Sequence, residues 1–267
     1  MRRFTGVFVL FMGLLILPMP LLAQAEIPSV TVTATDDSID LPSEVPSGLV
    51  TFTFQNNRAE APFVPLFGRL NDGVTPDDIA AAEKSDNPMD VLALVVLYGG
   101  STIAPGESLT YTTELTPGNY ALNDDPQTLY FTVTDSGVAD LAAPESDVTL
   151  ALVDFAFGVP SDFTAGPHVW HIQNFGTQWH EVAVFKVDDG TTVQDARDAL
   201  MAADPENGDL PYGDPAFLWL PSGPNTQSWV PVDLEAGTYV VACFLPDVNG
   251  DFSPHMAHGM IQMFTVE

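Results

Sequence analysis

The only cysteine of the chain lies near its end, in the stretch CFLPDVNGDFSPHMAHGM (243–260), together with two of the five histidines. Cys243, His255 and Met260 come from this stretch, and His180 comes from further upstream. They offer one thiolate, two imidazoles and one thioether. Three strong nitrogen and sulfur ligands with a weak thioether suit a copper ion that alternates between Cu(I) and Cu(II). We therefore interpret these four residues as a candidate site for one copper ion.

A single cysteine limits what Cys243 can do. It cannot form a disulfide within the chain, so it is a buried thiol, a link to another chain or a metal ligand. A free thiol outside the cell would oxidise, which favours a role for Cys243. The acids of DVNGD (247–251) resemble part of a calcium loop, but the rest of an EF-hand frame is absent.

The elements that must position these residues occur in two copies of one pattern. Each copy opens with strands in which apolar and polar residues alternate. Each continues with a short helix, whose N-cap signals begin at Thr75 and Thr192. The matching strand segments are 29–42 with 147–160, 48–57 with 166–175, and 61–70 with 179–188, the last pair aligned in step without a gap.

The repeat predicts an all-β fold with two tandem Greek-key β-sandwich domains, each with a short inserted helix. We expect the first domain over residues 26–135 and the second over 147–267. The segment between them, 136–146, is small, polar and acidic, as linkers are.

The two copies differ at the candidate ligands. In the in-step alignment, Pro62 stands where the second copy has His180, and Asp124 stands where it has Cys243. A shared fold would keep the apolar strand residues in both copies, but it would not require the ligand types in one copy alone. We therefore expect the chemistry in residues 147–267 and a scaffold or docking role for the first copy.

Three segments of the second copy resemble the type 1 copper sites of the cupredoxins, the family of plastocyanin and pseudoazurin. They are NFGTQWHEV, GTYVVACFLP and PHMAHGMIQMFTV. The resemblance implies that His180, Cys243 and His255 are the strong ligands and that Met260 is the axial one. His258 is the competing histidine, but the step of four residues between His255 and Met260 matches the plastocyanin-like spacing. The first copy resembles the cupredoxin fold only.

This chain departs from the family pattern in two ways. Eleven residues separate Cys243 from His255, more than in the small cupredoxins, although the cost of closing a loop rises slowly with its length. Glu181 follows the first histidine, where the family often has an asparagine that ties the ligand loops together by hydrogen bonds. The resemblance also implies that the C-terminal histidine ligand is exposed and serves as the electron port.

The net charge limits which partners are possible, and the first residues indicate the location of the protein. The net charge of −29 excludes nucleic acid and disfavours anionic lipid as partners. It serves solubility, or it steers a cationic partner. Arg2, Arg3 and the apolar run FVLFMGLLIL predict a signal peptide over 1–25 that is cleaved after Ala25, and the run is short for a membrane span. We expect a secreted or periplasmic protein without membrane insertion.

The favoured function is therefore one-electron transfer by a type 1 copper protein to a redox partner protein. A metal-free binding module and a copper storage or delivery protein are the alternatives. A two-domain copper nitrite reductase or multicopper oxidase would need a second copper centre. Residues 26–135 contain no histidine to hold such a centre. Ala242 and Phe244 flank Cys243, so no histidine next to the cysteine can transfer electrons between two copper centres. The sequence thus disfavours an enzyme.

Overall fold

The computed structural model describes residues 26–85, 87, 89–124, 127–137, 141–203 and 210–267. The signal peptide predicted over 1–25 lies outside the described residues. We use "N-terminal half" for residues 26–135 and "C-terminal half" for residues 147–267.

The strands follow the same order in both halves. In the N-terminal half they are β1 (Ser29–Ala34), β2 (Ile39–Asp40), β3 (Glu44–Pro46), β4 (Gly48–Asn56), β5 (Leu66–Leu70), α1 (Pro76–Ala82), α2 (Met89–Leu92), β6 (Val95–Leu97), β7 (Ser108–Leu115), β8 (Gly118–Asp124) and β9 (Gln127–Thr134). In the C-terminal half they are β10 (Val148–Val153), β11 (Ala156–Gly158), β12 (Asp162–Phe163), β13 (Gly166–Asn174), β14 (His180–Val187), α3 (Val193–Ala202), β15 (Phe217–Ser222), β16 (Gln227–Leu234), β17 (Gly237–Ala242) and β18 (Ile261–Val266). Among the described residues, the N-terminal half has a second short helix before β6 where the C-terminal half has α3 alone.

The alternation read from the sequence sets which face of each strand is buried. In β1 the side chains of Val30, Val32 and Ala34 are buried, while Ser29 and Thr31 are exposed. Successive side chains of a strand point to opposite faces, so one apolar set covers the core. β10 follows the same pattern, and each of the two strands pairs in parallel with the second long strand of its half, β4 or β13.

The strands form sandwiches that share one sheet. An eight-stranded sheet has the order β11-β10-β13-β16-β7-β4-β1-β2 and runs through both halves. The halves join where β16 pairs antiparallel with β7. Each half covers its part of this sheet with a five-stranded sheet, in the orders β3-β9-β8-β5-β6 and β12-β18-β17-β14-β15. The predicted all-β fold class of tandem Greek-key sandwiches is confirmed.

The short helices begin where the sequence predicts. Thr75 caps α1 and Thr192 caps α3, and each side chain accepts a hydrogen bond from the backbone N–H three residues later. The side chains of Asp78 and Asp195 in turn accept a hydrogen bond from the backbone N–H of the cap residue, so both helices have a complete capping box.

A tyrosine at the same place in both halves fixes how the copies correspond. Tyr120 lies opposite Arg69 on the neighbouring strand, and Tyr239 lies opposite Lys186. Each tyrosine hydroxyl donates to a backbone oxygen four residues earlier. Arg69 therefore corresponds to Lys186.

His180 and Phe63 each lie six residues before these basic residues, so His180 corresponds to Phe63 and not to Pro62. The in-step alignment of 61–70 with 179–188 is therefore wrong by one residue. Phe63 bridges Ile103, and His180 pairs with Ser222 at the same point of the second half. The N-terminal half has one additional residue in the loop before this strand, and a strand register shows that insertion where a gapless alignment does not.

One apolar core cluster draws residues from both halves, including Tyr111 and Trp219, whose rings meet edge to face at 4.9 Å between centroids. Among the described residues, the helices are all too short or too polar to span a bilayer.

Candidate metal centre

Three of the predicted ligands lie where the inner strands of the five-stranded sheet of the C-terminal half begin or end. His180 is the first residue of β14, and Cys243 directly follows β17. The two strands are antiparallel neighbours, so the start of one and the end of the other meet at the same edge. His255 begins a 3-10 turn, His255–His258, that leads into β18 on the other side of β17.

The ligand atoms of these three residues converge in the interior. The Nδ1 atoms of His180 and His255 are 3.1 Å apart, and the Cys243 Sγ lies 3.5 Å from the His255 Nδ1. The ligand atoms of the three residues all lie within 4.8 Å of one another. The relative exposure of each side chain is at most 1%. The cluster is therefore closed to bulk water.

These separations fit a common metal ion. Bonds of about 2.0 Å to nitrogen and about 2.3 Å to thiolate, as in zinc sites, would let one ion bridge ligand atoms at both separations. A donor set of one thiolate and two imidazoles suits copper among soft and borderline metals. The residues present therefore fit the copper ion that the resemblance implies.

Met260 is fully buried beside the cluster, and its backbone is tied to two of the ligands. Its N–H donates to the His255 carbonyl at 3.0 Å, and its carbonyl accepts from the Cys243 N–H at 3.2 Å. The role of its thioether as the axial ligand stays a prediction.

The long loop after Cys243 is closed by its own backbone hydrogen bonds. The Met256 N–H donates to the Cys243 carbonyl, and the His255 N–H donates to the Leu245 carbonyl at 2.8 Å. Pro246 and Pro254 then form an antiparallel bridge. Backbone bonds thus pair the first residues of the loop with its last ones, and the residues between Pro246 and Pro254 protrude as a closed loop. His255 therefore lies next to Cys243 in spite of the eleven residues between them.

Asp154 orients the His180 ring from the side opposite the cluster. Its Oδ1 lies 3.1 Å from the His180 Nε2, and Thr177 also donates to the carboxylate through its N–H and its hydroxyl. Burial raises the pKa of Asp154, but these hydrogen bonds outweigh it and hold the pKa below its ordinary value. The pKa of His180 is lowered, because burial disfavours the imidazolium more than Asp154 favours it. The ring is therefore kept neutral, with its Nδ1 turned toward the cluster, as a metal ligand requires.

His255 is covered rather than exposed, which contradicts the exposed electron port that the resemblance implies. The ring of Phe155 lies edge to face with the His255 ring at 5.4 Å and also contacts His258 at 5.0 Å. Phe155 has a backbone φ of 66°, a left-handed conformation that bulky residues rarely adopt. Burial, and then His180, lowers the pKa of His255 to about 4. Its Nε2 is buried and has no hydrogen-bond partner among the described residues.

Glu181 connects the segment that carries His180 to the one that carries Cys243. Its Oε1 accepts a hydrogen bond of 2.9 Å from the N–H of Phe244, the residue after Cys243. Burial raises the pKa of Glu181 to about 7. Burial, and then Glu181, raises the pKa of the Cys243 thiol to about 12. Without a metal the thiol therefore keeps its proton, which a bound ion would displace.

The remaining histidines lie apart from this cluster. His168 and His171 belong to β13; the first contacts the Thr164 carbonyl at 2.7 Å, and the second stacks on Trp229 at 4.4 Å. His258 meets acids instead of Cys243: its Nε2 lies 3.0 Å from Asp251.

Asp247 brings a second carboxylate oxygen near that pair, and the ligand atoms of the three residues lie within 4.8 Å of one another. Asp251 and His258 are side chains of the exposed rim of the loop.

The sequence interpretation did not include Asp154 and Phe155. They lie in the turn between β10 and β11, well upstream of the first ligand, and nothing in the local pattern marks them. Asn174 carries a weak signal, because the repeat places Asn56 at the equal position.

Neither a family model nor a curated protein matches the sequence. Similar solved structures include auracyanin from Roseiflexus castenholzii, which is 20% identical with a TM-score of 0.31 over 45% of this chain and 94% of that chain. Auracyanin A from Chloroflexus aurantiacus, a "blue" copper protein, is 20% identical with a TM-score of 0.31 over 45% and 98%. Copper nitrite reductase from Nitrosomonas europaea is 12% identical with a TM-score of 0.25 over 91% and 94%. At these values no role passes from those proteins to this chain.

Proposed function

We propose that the protein is a type 1 copper protein that carries one electron at a time. The observation that supports this most directly is the buried cluster of His180, Cys243 and His255, with separations of 3.1 and 3.5 Å between ligand atoms. His180, Cys243 and His255 would hold the ion, and the Met260 thioether would add a weak ligand. Bound copper would supply the exchange between Cu(I) and Cu(II).

The chain's own groups prepare this site without a metal. Asp154 orients the His180 ring, and Glu181 holds the backbone after Cys243. Phe155 and the closed loop exclude water from the ligand atoms. Groups that are fixed in this way resist movement when the charge of the site changes, which keeps reorganisation small.

A metal-free binding module is the second candidate, and one distance favours it. The 3.1 Å between the two Nδ1 atoms is also the length of an N–H···N hydrogen bond between neutral imidazoles. In that case Cys243 would be an inert buried thiol.

Copper titration of the purified mature chain separates the two candidates. We expect one equivalent of Cu(II) to produce an intense visible thiolate-to-copper band. Cys243→Ser should abolish the band, because it removes the thiolate. His258→Gln is the matched control and should keep the band, since that histidine faces acids instead of the cluster. The type 1 assignment fails if no band forms while a thiol reagent titrates Cys243 fully in the presence of copper.

The location and the partner belong to the same proposal. We propose that the segment 1–25 directs the chain out of the cytoplasm and is removed after Ala25, which N-terminal sequencing of the exported protein tests. The net charge of −29 supports a cationic redox partner. The electron-exchange rate with a basic redox protein should fall as ionic strength rises; an equal rate at low and high salt would contradict charge steering.

A further inference from the structure

The two halves meet at a short ladder close to the metal centre. The Gly99 N–H donates to the Pro221 carbonyl at 3.1 Å, and the Leu220 N–H donates to the Gly100 carbonyl at 2.8 Å. Tyr98 forms an antiparallel bridge with Ser222. The end of β15 is therefore paired with the segment that follows β6 of the N-terminal half.

At this ladder the backbone of Gly99 packs so closely against Trp219 that only a glycine fits, and the contact fixes the tryptophan ring. A Cβ on Gly99 would lie 2.2 Å from the Trp219 Nε1, and Gly99 has a φ of 76°. Trp219 is fully buried and packs edge to face on Tyr111 of the N-terminal half. Its Nε1 donates to the Ser222 hydroxyl at 3.0 Å. The N-terminal half thus fixes Trp219, and Trp219 fixes Ser222.

Ser222 is in turn bonded to the loop that carries His180. Its carbonyl accepts a hydrogen bond of 2.8 Å from Asn174 Nδ2, which also donates to the Gln178 carbonyl at 2.9 Å. Ser222 also pairs in register with His180, next to a β-bulge in β15, where the three-residue step from Ser222 to Trp219 faces the two-residue step from His180 to Val182. A bulge bends its strand and re-aims the side chains beside it, so the bulged end of β15 affects where the paired His180 points.

The loop backbone reaches the His180 ring itself. The Asn174 Oδ1 accepts from the Gly176 N–H at 2.8 Å. A Cβ on Gly176 would lie 2.5 Å from the His180 Nε2 and 2.4 Å from the Asp154 Oδ1. The backbone at 176 therefore packs directly against the ring and its orienting carboxylate.

We propose that the N-terminal half is a positioning element of the metal centre, which acts through Trp219 and Ser222 on the orientation of His180. This inference rests on the proposed function for its copper readouts. The half without ligands then has a role in the chemistry of the half that has them, since it holds the strand against which His180 is aimed.

Gly99→Ala in the mature full-length chain tests this positioning, and Gly106→Ala is its matched control. Both glycines lie in the N-terminal half with nearly equal φ, 76° and 79°, but a Cβ on Gly106 meets nothing within 4 Å. We expect Gly99→Ala to weaken copper binding about tenfold, as loss of groups that orient ligands does. It should also shift the reduction potential and the visible band, while Gly106→Ala matches the wild type in all three.

A readout without copper separates this inference from the proposed function. NMR signals of the His180 ring in the metal-free chain should move in Gly99→Ala and stay in place in Gly106→Ala. If the wild type binds no copper, the proposed function fails but the ring signals still test the positioning. Unchanged ring signals in a folded Gly99→Ala protein overturn the inference.

Trp219→Phe keeps the test decisive if Gly99→Ala does not fold. It retains an aromatic ring but removes the N–H that holds Ser222. Trp229→Phe is its control, because Trp229 lies at the other contact between the halves, where β16 pairs with β7. Trp219→Phe should move the His180 signals and Trp229→Phe should not; equal shifts in both, or none in either, reject the pathway through Ser222.

Discussion

The equivalent ends of the two halves hold different sets of side chains on the same arrangement of strands. In the C-terminal half, His180 and Cys243 face His255. In the N-terminal half, the positions that correspond to His180 and Cys243 hold Phe63 and Asp124.

There Arg58 takes the central place. Its guanidinium bonds to both oxygens of Asp124, donates to the Pro62 carbonyl at 2.9 Å, and lies 5.4 Å above the Phe63 ring. Asp124 is nearly buried, with 8% of its side chain exposed. One half thus has a permanent cation from its own chain, whereas the other has soft neutral ligands that suit an exchangeable one. The strands therefore define where a cation can be held, and the residues at their ends define which cation that place suits.

Exchanging the end residues should have the largest effect. We expect Cys243→Asp to remove the thiolate-to-copper band completely, because a carboxylate is a hard ligand and makes no thiolate bond. Asp124→Cys should create no band, since Phe63 offers no ligand atom there. Copper titrations followed by visible spectroscopy measure both; a new band in Asp124→Cys would show that the N-terminal half can also supply the ligands.

Breaking the internal cation pair should cost stability instead. Arg58→Met leaves the Asp124 carboxylate nearly buried and unpaired, and we expect a loss of about 3 kcal/mol in the free energy of unfolding. Urea unfolding measures it. Adding Asp124→Leu should recover part of the loss, because an apolar pair needs no charge partner. The exposed pair of Lys186 and Glu235 is the control, and Lys186→Met should cost less than about 1 kcal/mol.

The buried asparagines of the two halves offer the sharpest matched pair. Asn56 donates to the carbonyls of Ala61 and Ile103, as Asn174 does to its two carbonyls. Alanine at either position should lower the free energy of unfolding by about 2 kcal/mol, since buried carbonyls lose their donors. Only Asn174→Ala should also shift the visible band; a shift in Asn56→Ala would mean that the spectrum reports general loosening.

The capping boxes should give the smallest effect, equal in both halves. Hydrogen bonds from Thr75 and Thr192 hold the pKa of Asp78 and Asp195 below the ordinary 3.8. Their stabilisation is therefore present above pH 3.8 and is lost as the pH falls through the lowered pKa. Asp78→Asn and Asp195→Asn should each remove a small part of the acid dependence of thermal unfolding. If the melting temperature of either variant falls with decreasing pH in the same way as that of the wild type, this prediction is wrong.

Much of this architecture could be predicted from local patterns. Alternation predicts the strands, the repeat predicts the tandem sandwiches, and the ligand types in one copy point to the buried cluster of His180, Cys243 and His255. These signals lie within a few residues of one another or recur at a fixed offset.

The rest depends on contacts between distant segments. The one-residue insertion in the N-terminal half, which makes Phe63 the equivalent of His180, can be recognised only from the strand register. Asp154 contacts His180 from a turn of the other sheet of the sandwich. The pairing of β16 with β7 joins two strands whose sequences do not indicate which strand they pair with. The closure of the loop after Cys243 depends on backbone bonds, which side-chain types do not encode.

The cover that Phe155 places over His255 has a kinetic consequence. Under the proposed function, an ion that enters this cluster would pass the Phe155 ring, which a left-handed backbone conformation between β10 and β11 holds against His255. The ligands would then set the affinity for the ion, while movement of that ring would set the rates of loading and release. Slow exchange would retain a metal in a competing medium even where the equilibrium alone would not.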